Sequence, residues 1–127
     1  MATGVQVTFD CAHPLKQARF WSEALHYRLP EPTGDDDWAA IEDPDGAGPR
    51  FYFQRVPEGK VAKNRMHLDL NVGGEPGVSL EDRKIRVRAE VERLKVLGAS
   101  DDRGAIEQDG EYWVRMNDPE GNEFCVQ

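Results

Sequence analysis

Apolar and polar residues alternate with period two along residues 5–10 and again along residues 66–71, the pattern of a half-buried strand. Behind the first of these, Ala18, Trp21 and Leu25 recur at helical spacing after Pro14. Proline suits the first helical turn because its missing N–H has no partner there, so this segment predicts a helix lying on a sheet by that face. Pro30 and Pro32 close the region. Residues 38–42 and 51–56 then read as strands joined by an Asp43-Pro44-Asp45-Gly46 turn. The second half predicts a strand over 65–72 and a highly charged helix over 80–97, with Val87, Val91 and Leu94 inward and Gly98 as its stop. Strands over 112–117 and 122–127 flank Asp118-Pro119-Glu120-Gly121, and a further short strand is expected near 99–106.

The two halves are copies of one plan. Trp38-Ala-Ala-Ile-Glu-Asp-Pro-Asp-Gly46 aligns with Trp113-Val-Arg-Met-Asn-Asp-Pro-Glu-Gly121 in constant register, and residues 5–10 align more loosely with 66–71. The expected fold class is α+β. Tandem βαβββ modules, about 1–60 and 61–127, form one domain with a curved, cleft-forming mixed sheet. A concave surface where two such modules meet is the natural place for a ligand.

Composition narrows the function classes. With 16 basic and 24 acidic side chains the net charge is −8, which argues against nucleic acid as a partner and would attract a cationic small molecule. No apolar run is long enough for a membrane helix, and Met1-Ala2-Thr3-Gly4 lacks the character of a signal peptide, so a cytoplasmic location is expected. Cys11 and Cys125 are too few for a disulfide scaffold, and Cys11 reads as a buried thiol in a reducing compartment.

Strand alternation sorts candidate site residues by face. His67 and Asp69 share the polar face of their strand, Gln6 lies on that of its repeat partner, Tyr52 and Gln54 share a third, and Glu123 and Cys125 a fourth. The repeat pairs Gln6 with His67 and, with a short insertion, Gln54 with Cys125. Trp38 and Trp113 are candidate stacking walls, although their pairing is equally explained by packing. The acidic residues of the Asp-Pro segments read as turn formers, and the basic cluster at 83–88 reads as a solvated helix face.

Ala18-Arg19-Phe20-Trp21, Arg65-Met-His67-Leu-Asp69-Leu and Asp118-Pro-Glu-Gly-Asn-Glu-Phe124, set in tandem modules, resemble the glyoxalase-like branch of the vicinal-oxygen-chelate (glyoxalase/bleomycin resistance/dioxygenase) superfamily. The resemblance implies that four inner-strand side chains could hold one divalent cation (zinc, nickel, iron, manganese or cobalt). Carried over by position, these are Gln6, Gln54, His67 and Cys125. His67 matches the family pattern and Gln6 is compatible with it, whereas Gln54 and Cys125 stand where carboxylates are usual. An amide cannot act as a base, and a thiol is a ligand for zinc rather than for hard cations, which argues against glyoxalase I activity.

The sequence therefore predicts a protein that binds a small molecule, cationic or aromatic, in the cleft between its modules. The candidate ligand-binding residues are Gln6, Trp38, Tyr52, Gln54, His67, Asp69, Trp113, Glu123 and Cys125, with no catalytic residue assigned. The alternative is a metal-dependent lyase, isomerase or dioxygenase with an atypical Gln6/Gln54/His67/Cys125 site. By analogy with the family, a homodimer is expected.

Overall fold

A computed structural model describes residues 1–32 and 34–127. Contacts within the chain divide it into two compact units, Met1–Lys60 and Val61–Gln127. The first runs β1 (Gln6–Cys11), α1 (Pro14–Leu25), β2 (Trp38–Ile41), β3 (Arg50–Arg55). Its sheet has the order β1-β3-β2, with β1 parallel to β3 and β2 antiparallel to it.

Pro14 opens α1, and His26 in the left-handed conformation (φ 58°) ends it, its N–H reaching back to the Ser22 carbonyl. Ala18 and Trp21 are buried as the helical spacing predicts, while Leu25 is only half-buried and Phe20 and Ala24 join the buried face instead. Phe9 gathers the aromatic core, its ring 5.2 Å from that of Phe53 and 5.6 Å from that of Trp21. Offset and tilted rings at these separations favour edge-to-face attraction beyond the area they bury.

Among the described residues, the first unit has one strand fewer than the expected βαβββ module. In its place stand two isolated bridges to the β2 side of the sheet, Arg28 with Glu42 and Gly34 with Ala39. Pro30 and Pro32 lie between them and have no N–H to offer a ladder, which holds the pairing to single rungs.

The second unit is the fuller copy: β4 (Asp69–Leu70), α2 (Leu80–Leu97), β5 (Ser100–Gln108), β6 (Glu111–Asn117), β7 (Glu123–Val126), in the sheet order β4-β7-β6-β5. Ser79 caps α2 through its hydroxyl, which accepts from the Asp82 N–H, and Glu81 and Asp82 in the first turn complement the helix dipole. Val87, Val91 and Leu94 are buried as expected. The charged flank of α2 reaches β5 through the Lys84–Glu107 and Lys95–Asp101 ion pairs.

β5 is longer than its weak alternation suggested, because an edge strand with only one paired side tolerates polar residues on both faces. β4, conversely, is shorter than residues 65–72. Its ladder partner is β7, which begins at Glu123, so in this parallel register Arg65 and Met66 have no β7 residue to run beside.

The two Asp-Pro-acid-Gly segments fold alike. The Asp43 carbonyl accepts from Gly46 N–H and the Asp118 carbonyl from Gly121 N–H, and both glycines take positive φ (72° and 85°). Each aspartate also caps its own turn. Asp43 Oδ1 accepts from Asp45 N and its Oδ2 from Gly48 N, while Asp118 Oδ1 accepts from Glu120 N and Asn122 N. These bonds explain the recurring motif as turn chemistry. No described helix is long and apolar enough to cross a membrane.

Candidate ligand-binding site

In the first unit, core residues occupy one face of the sheet and the candidate residues the other. Ladder register puts Gln6 opposite Arg50, Thr8 opposite Tyr52 and Asp10 opposite Gln54, with Trp38 beside Gln54 on the far side of β3. The side chains follow the rungs: Arg50 Nη1 donates to Gln6 Oε1 at 2.8 Å, and Gln54 Nε2 donates to Asp10 Oδ1 at 2.8 Å. Gln6 and Gln54 thus share a face but sit four rungs apart, roughly 13 Å at a strand rise of ~3.3 Å per residue. Between them the Tyr52 ring lies parallel to Trp38 (8° between planes, centroids 6.0 Å apart), and the Arg50 guanidinium lies 5.5 Å from the Tyr52 centroid. Trp38 is 37% exposed.

In the second unit the same alternation places Tyr112, Val114 and Met116 in the core and leaves Trp113, Arg115 and Asn117 on the opposite face. Cys125 lies between Asp69 on β4 and Arg115 on β6, on the same rung as both. His67 Nε2 approaches Asp69 Oδ1 at 3.3 Å, and ligand atoms of His67, Asp69 and Cys125 all lie within 4.8 Å of one another. Burial pushes the Cys125 thiol above its ordinary pKa, and the Asp69 charge pushes the same way, against weaker opposing effects of Arg115 and Lys63. At neutral pH the group is a thiol. Glu123 faces Asn117 across the ladder, and its carboxylate accepts from the Asn64 N–H at 3.2 Å.

The ladder gives a second view of the internal repeat. If Gln6 corresponds to His67, then Thr8 corresponds to Asp69, and the rung partner of Thr8 is Tyr52 just as that of Asp69 is Cys125. Gln54 falls one side chain further along the face. Arg50 and Arg115, outside the set of candidates the sequence offered, also belong to these faces. Arg50 is two positions before Tyr52 on the same face, which alternation alone could have revealed. Arg115 pairs with Asp102 on β5, a contact across the bulge between Asp101 and Gly104 that no local pattern signals. Cys11, read as a buried thiol, is buried, and its Sγ contacts the Gln54 carbonyl at 3.5 Å.

Tandem modules of this topology define the vicinal-oxygen-chelate class of α+β proteins. The profile of the glyoxalase-like domain family matches residues 6–127, and the chain belongs to that family. No curated protein matches it. Among solved structures, it is similar to a glyoxalase/bleomycin resistance protein/dioxygenase family enzyme from Burkholderia phytofirmans PsJN (14% identity, TM-score 0.71, covering 95% of this chain and 94% of that one). A possible glyoxalase from Bacillus cereus has 17% identity and a TM-score of 0.69, covering 99% of each chain. A mutant of the fosfomycin resistance protein FosX from Listeria monocytogenes, complexed with Mn(II) and a dihydroxypropylphosphonic acid, has 15% identity and a TM-score of 0.69, covering 100% of this chain and 90% of that one. At these identities the likeness is one of fold.

Proposed function

We propose that this protein binds a small organic molecule on the polar sheet face of a unit, the first unit's bearing Gln6, Trp38, Tyr52 and Gln54 and the second's bearing His67, Asp69, Trp113, Glu123 and Cys125, without glyoxalase I activity. The observation that carries this reading is the state of Cys125. Where a carboxylate ligand and base is usual, the last strand offers a buried thiol held protonated by its surroundings. The amide of Gln54 is already engaged by Asp10. Neither group can take a proton from a carbon acid at neutral pH, which argues against glyoxalase I chemistry and supports recognition as the task of these faces.

The test is a titration of the whole chain against a panel of aromatic and charged metabolites, read by thermal unfolding, beside an assay of hemithioacetal isomerisation. Saturable stabilisation by one panel member without isomerisation is the expected result. Turnover that His67→Ala abolishes would overturn the reading. A cytoplasmic location and a homodimer belong to the proposal, the latter checked by sedimentation.

The cluster in the second unit favours one further reading, a divalent metal held by His67, Asp69 and Cys125. Imidazole, carboxylate and thiolate within one small volume suit zinc best, and bound zinc would supply Lewis acidity. Binding must displace the thiol proton, so affinity should rise with pH. Thermal unfolding of stripped protein with zinc, nickel, iron, manganese or cobalt, with and without His67→Ala, tests it. At ~100 times its dissociation constant a metal adds about 2.7 kcal/mol.

A further inference from the structure

We infer that the open face of the first unit's sheet recognises the anionic group of a planar aromatic acid through Arg50, which sets the chemical class of the ligand proposed above and rests on that reading. Net charge alone points the other way, toward a cation. The local arrangement reverses it.

Arg50 is exposed, and among the described residues no carboxylate pairs with it. The two groups that contact its guanidinium are neutral: the Gln6 amide, which accepts from Nη1, and the Tyr52 ring beneath it. Both hold the fork in place while leaving most of its five donors unused. A side chain already fixed loses less freedom on meeting an oxyanion, and a guanidinium meets carboxylate or phosphonate oxygens in bidentate fashion.

The second unit shows the contrast. Arg115, also on its sheet's open face, is paired with Asp102 and carries no free charge. Of the carboxylates on the first unit's face, Asp10 is four rungs from Arg50 and bonded to Gln54, and Glu42, just past β2, is paired with Arg28, which leaves Arg50 as the uncompensated charge at its end. Tyr52 stands next along the face from Arg50 and stacks with parallel rings on Trp38, which lies beside Gln54 at the far end, so an aromatic surface runs away from the anion site for a flat ligand to lie along.

The test uses the whole chain with 2-naphthoate, 2-naphthol and 2-naphthylmethylammonium as probes. Binding is read by tryptophan fluorescence, assigned by Trp38→Phe, and by thermal unfolding. Naphthoate should bind at least tenfold more tightly than the neutral and cationic probes. Arg50→Gln should remove that preference and Arg50→Lys should keep part of it, with the circular dichroism of both variants unchanged. Equal binding of the three probes, or no saturable binding of naphthoate, overturns the inference. If the ammonium probe binds best and Arg50→Gln leaves it untouched, the inference fails while the small-molecule reading survives.

Discussion

Asp69 and Cys125 face one another across the parallel ladder of β4 and β7, and the carboxylate helps keep the thiol protonated. A thiol next to a carboxylate is stabilised in its neutral form, because ionisation would place two negative charges side by side on one rung. The chemistry of the second unit's open face follows from this pair.

Alkylation measures it directly. In a Cys11→Ala background Cys125 should react with iodoacetamide more slowly at pH 8 than free cysteine, its rate still climbing above the ordinary thiol range. Asp69→Asn removes the charge and should speed the reaction several-fold, with burial left as the remaining brake. Reaction at the rate of a free thiol would contradict the assignment.

Backbone N–H donors from Asp45 and Gly48 hold the Asp43 carboxyl below its ordinary pKa. A carboxyl lowered by folding stabilises the native state above its unfolded pKa, and that contribution fades as the pH falls through the folded value. Asp43→Ala should therefore lower the Tm at pH 7, and the gap from wild type should close below about pH 4. A gap unchanged down to pH 2 would assign the loss to something other than the charge.

Asp118 is buried and accepts from the Glu120 and Asn122 N–H groups and the Asn122 amide. Asp118→Ala leaves those donors without their acceptor at a half-buried turn and should cost about 1–3 kcal/mol in chemical denaturation. Asp118→Asn, which keeps an oxygen at the site, should recover part of the loss.

Trp21 is 1% exposed and contacts the Phe9 and Phe20 rings. Trp21→Ala opens a large cavity in the first unit's core and should cost about 3–5 kcal/mol. A loss under 1 kcal/mol would mean that the core collapses to fill the space.

Much of this was legible in the chain. The bounds of α2 follow from Ser79, the first-turn acids and Gly98, all local signals. The paired turns follow from a motif that caps itself, and the division into two units follows from the repeat that contains it. β5 and the missing strand of the first module were harder to read. An edge strand answers to a single neighbour, and a strand interrupted by prolines depends on which rungs its partner leaves available.

The amino-acid order by itself determined which residues share a sheet face, because side-chain alternation is a property of the extended backbone. It put Gln6, Tyr52, Gln54, His67 and Cys125 on polar faces and marked their family by the motifs around them. Only the tertiary structure decided which rungs meet: Asp69 beside Cys125, Arg50 beside Gln6, and Gln54 beside Asp10. Register depends on how turns, helix packing and the core position one strand against another, and a shift of two residues preserves every face while changing every neighbour.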